Sequence, residues 1–329
     1  MKRLTSLIIL FLLALCAAIA WAGTVTIRTV EWDLPTADCF PFDVTVSPDG
    51  KLWFTELRAN KLGRLDPKSG AVREFPLRVP DSGPRGIVAD DDGFIWFTSG
   101  SRGYIGRLDP DSGKITEYSL PEPNARDPQD IAMDENGIFW FTVRTGNYVG
   151  RLDSQAGKIR LQPLATPKAQ PSGIAINSQG VPFFCESGTN RIGRINPQDM
   201  TITEFILPEG ARPRRLAVAS DDSIYYTDYR RGFLGQLNPA NAKVREWASP
   251  GGPKSAPYSI TITPDDMVWY SESGVTPDAV VRFDPRTQKL ARWFLPTADG
   301  IRNMVSSPKG DIYVTGSASN SVGAVRIEK

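Results

Sequence analysis

Along most of the chain, short apolar runs of five or six residues alternate with polar turns, and the alternation itself repeats. Residues 84–121 show the unit: GIVAD, a polar DDDG turn, FIWFTS, a short loop, YIGRLD, a DPDSG turn and ITEYSLP. Each run mixes β-branched and aromatic residues with polar ones, and each is bounded by Gly, Pro, Asp or Ser. That is the pattern of short strands, with no helical period. Four antiparallel strands of this kind cannot bury both faces alone, so copies must stack on one another.

Aligned on the opening residue, seven copies begin at Pro41, Pro84, Pro128, Pro171, Pro213, Pro257 and Gly300. The period of about 43 residues is that of propeller blades. The second strands carry a large ring at one place: Trp53, Trp96, Trp140, Phe183, Tyr225, Trp269 and Tyr313. Rings repeated in this way pack blade on blade. The third strands read LGRLD, IGRLD, VGRLD, IGRIN, LGQLN, VVRFD and VGAVR. Their small residue, usually Gly, predicts a close approach by a ring or the backbone. The seventh copy ends after three strands, and its missing strand stands at the other end of the chain, where VEWDLP (residues 30–35) matches ITEYSLP. The pattern predicts an all-β fold: a seven-bladed β-propeller of four-stranded antiparallel blades. Residues 24–35 complete the last blade, so that no long edge is left free.

Composition narrows the chemistry. Among 329 residues, 38 are Lys or Arg, 37 are Asp or Glu and none is His. The balanced charge gives no footprint for nucleic acid or a membrane surface. Without histidine, the usual base near neutral pH and the commonest metal ligand are missing. Any catalysis must use carboxylates, Tyr, Lys, Arg, Ser or Cys.

The chain opens with Lys2 and Arg3, an apolar run from Leu7 to Ala20, and Ala20-Trp21-Ala22. This reads as a signal peptide over residues 1–22, followed by a mature domain of residues 23–329 that is periplasmic or secreted and monomeric. The alternatives are an uncleaved anchor, for which the run is short, and lipidation at Cys16, which the preceding leucine disfavours. Cleavage leaves Cys39 and Cys185 in the first and fourth blades, nearly opposite each other. Bridged Cα atoms must lie within about 7 Å, so two free, buried thiols are expected.

The blade meander puts the loops between second and third strands on one face with the links between blades. These are the variable segments: SGSRG, RTGN, YRRG, SGVTPDA and ASPGGPKSAP. What every copy keeps is packing, as with Arg64, Arg107, Arg151, Arg194 and Arg282. What single copies change marks a site. The residue after the opening Pro is Phe42, Arg85, Gln129, Ser172, Arg214 and Tyr258 in turn, with Arg302 taken as its match in the last copy. The residue ending strand two is Glu56, Ser99, Val143, Glu186, Asp228, Glu272 and Gly316. Both positions are expected at the mouth of the central channel. Arg85, Arg214, Tyr258 and Arg302 are then candidates for holding a small polar or anionic ligand. Glu56, Glu186, Asp228 and Glu272 are candidates for a hard divalent cation, magnesium or calcium, if they converge. A solvated rim of mutual salt bridges is the plainer alternative.

The phrases GIAxxxxGxIWFTE, IGRLDP and ITEYPLP, to which the copies approximate, make the chain from Val30 to Lys329 resemble the streptogramin B lyase (virginiamycin B lyase) family. The resemblance implies a seven-bladed propeller. It also implies a magnesium-assisted elimination that opens the ester ring of a cyclic peptide. The family's histidine positions carry over to Arg214 and Tyr258, and its glutamate to Glu272, so the catalytic candidates are Tyr258 and Glu272. Proton abstraction needs a base with a pKa near the working pH, and an ordinary phenol near 10 or a guanidinium is a poor one. The expectation is therefore a non-catalytic exported propeller that binds a small ligand or a protein partner on its variable face. The alternative is a divalent-metal-dependent lyase or a lactone-type hydrolase. The latter resembles gluconolactonase-related propellers, which use Glu, Asp and Asn around a metal.

Overall fold

The computed structural model describes residues 25–295 and 299–328. The signal-peptide segment, with Cys16, lies outside the described residues. The described residues form seven four-stranded antiparallel sheets and no helix. Second strands such as Leu52–Glu56, Ile95–Ser99 and Val268–Glu272 are buried along their whole length. They lie between neighbouring sheets on both faces, which is why they read as unbroken apolar runs. The fourth strands, such as Val72–Pro76 and Ile202–Ile206, form the rim and mix exposed with buried positions.

The first strands pack side by side around the centre, and Ile301–Ser306 of the last blade returns to Pro41–Val46 of the first, closing the ring. The closing strand is Thr26–Asp33, paired with Ser321–Glu328 in unbroken register. One boundary moves. The seventh copy opens at Ile301 rather than Gly300, because Ile301 faces Gly316 as Pro41 faces Glu56.

The repeated residues do the packing. Trp96 meets Phe139 of the next blade with ring centroids 4.1 Å apart, and Trp53 shares a core with Ile87, Ile95 and Phe97. The third-strand glycine leaves room for a ring of its own blade. A Cβ at Gly63 would stand 2.1 Å from the Phe54 ring, and one at Gly193 as close to Phe184. Repeated arginines lie over second-strand rings, with Arg64 5.7 Å from the Trp53 centroid and Arg151 6.0 Å from that of Trp140. Cys39 and Cys185 are free and buried, and burial pushes the Cys39 thiol up to about 12.

Candidate functional site

Each first strand carries a bulge just after its opening residue. Register breaks between Pro41 and Val44, Pro213 and Leu216, Pro257 and Ile260, and Ile301 and Met304. A bulge re-aims side chains that simple alternation would place otherwise. Here consecutive residues serve different places: Arg214 lines the mouth, while Arg215 enters the channel. The threonine one place before the end of strand two holds this geometry. Its hydroxyl bonds the carbonyl of the mouth residue in the next blade: Thr55 to Arg85 (2.7 Å), Thr142 to Ser172 (2.7 Å) and Thr227 to Tyr258 (2.9 Å). Sequence reasoning passed over this threonine, although its repetition in FTE, FTS, FTV and YTD was the available signal.

Three of the four ligand candidates gather. A cavity of ≈ 320 Å³ is lined by Arg144, Ser187, Arg212, Arg214, Tyr229, Tyr258 and Arg302, and no acidic residue lines it. Arg144 also borders an adjoining hollow of ≈ 250 Å³ that includes Lys168. Arg85 stays to one side, bonded to Gln129 at 2.8 Å and ion-paired with Asp127 at 3.1 Å. Arg144, Arg212 and Tyr229 were missed because they lie on loops and links, outside the two positions compared between copies.

At the centre of the cavity wall, Arg214 Nη2 donates to Tyr258 Oη at 2.6 Å. Arg214 and Arg302 sit 4.8 and 5.1 Å from the Tyr258 ring centroid. Tyr229 meets the same ring edge-on at 5.8 Å. Burial by itself would raise the Tyr258 phenol. The positive charges of Arg214, Arg215 and Arg302, with the Arg214 hydrogen bond, outweigh it and hold the phenol below its ordinary value. Arg144 is held below the ordinary guanidinium value, by burial first and then by the like charges of Arg214 and Arg85, with the Asp127 charge opposing them. Guanidiniums gathered around a cavity that no acid lines favour an anion in it.

The carboxylate candidates do not gather. Glu56, Glu186, Asp228 and Glu272 are each fully buried beside their own blades' fourth strands or neighbouring loops, and both oxygens of Glu56 and one of Glu186 lack a hydrogen-bond partner. Glu56 lies beside Glu74, which binds Lys61 at 2.5 Å. Burial, then the Glu74 charge, pushes Glu56 up to about 7. Glu186 accepts from Thr189 at 2.9 Å, and burial and Glu204 raise it. Asp228 pairs with Arg231 at 2.6 Å and accepts from the amide of Arg212. Glu272 pairs with Arg292 at 2.6 Å and accepts from Ser249 and the Gly251 amide. Among the described residues, no group of three or more acidic or cysteine side chains is placed to hold a metal.

The magnesium implied by the family resemblance therefore does not fit these residues. A guanidinium and a phenol hold two of the carried-over positions, and the glutamate is tied into its own blade. Its role as a catalytic candidate finds no support in this placement.

Below the mouth, Arg215 spans the channel. It binds Asp130 of blade three at 3.0 Å and reaches Asp43 of blade one at 3.5 Å. Asp43 is also bonded by Asn303 of blade seven. Gly86 and Gly173 allow the inner strands to come this close: a Cβ on either would meet the backbone of the next strand at 2.8 Å. Asp43, Asp130, Arg215 and Asn303 also line a cavity of ≈ 290 Å³.

The description "Virginiamycin B lyase family" matches residues 17–243. A solved structure described as streptogramin B lyase superposes with a TM-score of 0.84 at 27% identity, covering 92% of this chain and 98% of that one. Virginiamycin B lyase from Staphylococcus aureus superposes with a TM-score of 0.83 at 28% identity, covering 92% of this chain and 100% of that one. A catalytically inactive histidine-to-alanine variant of virginiamycin B lyase from Staphylococcus aureus, solved with quinupristin, gives 0.82 at 27%, with 92% and 100% covered. No curated protein matches the sequence. With the family description matched over more than half of its length, and with the propeller and mouth described above, the chain belongs to the virginiamycin B lyase family.

Proposed function

We propose that this propeller binds a small anionic ligand at the arginine-lined mouth of its channel. The observation that carries this reading is the cavity itself: four arginines, two tyrosines and a serine, with no lining acid. A carboxylate or phosphate there meets several charge-assisted donors at once, and the volume lies at the low end of the ~300–1,000 Å³ of ligand pockets. The leader at residues 1–22 supports export, so the ligand would be met in the periplasm or outside the cell. A protein partner would have to offer an acidic side chain to the same mouth. The metal-dependent lyase or lactonase reading needs converging carboxylates, and these lie apart, each buried in its own blade.

Titration calorimetry with citrate, inorganic phosphate and acetate tests the reading. Binding should strengthen with ligand charge, weaken with salt, and weaken at least about tenfold in Arg302→Met. No measurable binding of any of the three anions would overturn it.

A further inference from the structure

We infer that the mouth and the hollow beside it form one site, for a ligand that carries an acid group at each end. The inference rests on the anion-binding reading of the mouth and names the ligand class, an extended diacid. One group sits among Arg214, Arg302 and Arg144, and the other meets Lys168.

The two spaces join at one side chain. Arg144 lines both the mouth cavity and the hollow of ≈ 250 Å³. Its Nη2 donates to Gln170, on the hollow side, at 3.0 Å. Its buried Nε has no hydrogen-bond partner among the described residues. Thr145, Asn147, Lys168 and Gln170 complete the hollow, and no acid lines it. Asp127, which accepts from Thr145 at 3.0 Å, is paired with Arg85 at 3.1 Å. Lys168 is exposed on the link between blades three and four.

The same backbone frame occurs a second time with different side chains. Asn147 donates to the Thr166 carbonyl at 3.0 Å and so pins the link that carries Lys168 and Gln170. Asn320 pins the link between blades seven and one in the same way, through the Thr36 carbonyl at 3.0 Å. Lys168 and Gln170 have φ of 54° and 50°, and their counterparts Asp38 and Phe40 have 51° and 55°. Arg144, Lys168 and Gln170 stand where the other copy has Ser317, Asp38 and Phe40. Two cations and an amide replace a hydroxyl, an acid and a ring. A packing need common to both places does not call for those cations, whereas a second acid group on the ligand does.

Once one acid group is seated in the mouth, the other binds as an intramolecular partner. The gain depends on reach. A ligand that is too short leaves Lys168 unused, and one that is too long loses part of the gain to its own freedom.

Titration calorimetry of the full chain at about 0.15 M salt tests this with acetate and the α,ω-dicarboxylates from malonate to suberate. Malonate keeps both charges in the mouth and so controls for charge alone. One or more of the longer acids should bind at least about tenfold more tightly than malonate. Lys168→Met should remove that advantage while the affinities of acetate and malonate change less than about twofold. Thermal unfolding of the variant checks that its fold is kept.

Longer acids that bind no better than malonate would overturn the two-ended ligand and leave anion binding at the mouth intact. A length preference that survives in Lys168→Met would overturn the part given to Lys168. Equal weakening of acetate, malonate and the longer acids in that variant would overturn the division into two halves. Binding of none of these acids, nor of citrate, would overturn both readings.

Discussion

Two guanidiniums adjacent in sequence sit in unlike surroundings. Arg215 is 9% exposed and bridges two buried aspartates from blades one and three. Arg214, one residue earlier, has a phenol for its partner and faces a cavity that no acid lines. Burial of the first is compensated within the fold, whereas the charge of the second has no opposite charge lining its cavity. The difference separates a residue that holds the ring together from one that is poised for a ligand, although both are Arg on the same strand, Pro213–Val218.

The largest expected effect breaks the channel network. Arg215→Met leaves Asp43 and Asp130 buried without their cation and should destabilise the protein by about 3–5 kcal/mol, read from chemical or thermal unfolding. A loss below about 1 kcal/mol would show that water or rearrangement replaces the guanidinium.

Arg214→Met should do the opposite. Anion affinity should fall by about 1.5–3 kcal/mol, the worth of a charged hydrogen bond, while the unfolding midpoint holds or rises as crowding on Arg144 is relieved. Equal stability losses in the two variants would dissolve the distinction between them.

A buried carboxylate sharpens the comparison from the other side. The folded pKa of Glu56, about 7, lies above its ordinary 4.5. The native state therefore holds a proton there that the unfolded chain has released. The contribution of Glu56 is complete below about pH 4.5 and is lost as pH rises to about 7. Glu56→Gln keeps the neutral shape and should remove that decline, by up to about 3 kcal/mol. An unchanged pH–stability curve from about pH 5 to 7 would place the decline elsewhere.

The smallest effect is expected from Thr227→Val. It removes the hydroxyl that accepts from the Arg215 amide and donates to the Tyr258 carbonyl. A loss of about 1 kcal/mol with ligand affinity nearly unchanged would mark it as support for the strand rather than for the mouth.

Much of the architecture was legible because seven copies report on one another. The recurring rings, the third-strand glycine and the VEWDLP segment each answer a packing need that every blade shares, and repetition exposes such needs. The mouth was legible in part, because comparing copies picked out Arg214, Tyr258 and Arg302. It failed for Glu56, Glu186, Asp228 and Glu272, which vary between blades just as the mouth residues do. Variation alone does not say which way a side chain points.

By itself, then, the sequence determined the strand pattern, the number of blades, the closure by the N-terminal strand, and the absence of histidine from any site. Those follow from local alternation and from counting. The tertiary structure alone decided which charges meet. Arg144, Arg214 and Arg302 come from blades three, five and seven, and the Asp43–Arg215–Asp130 bridge joins blades one, five and three. Electrostatic energy depends on distance and burial in three dimensions, and these appear only once the ring has closed and the bulges have turned neighbouring side chains to different ends of the channel.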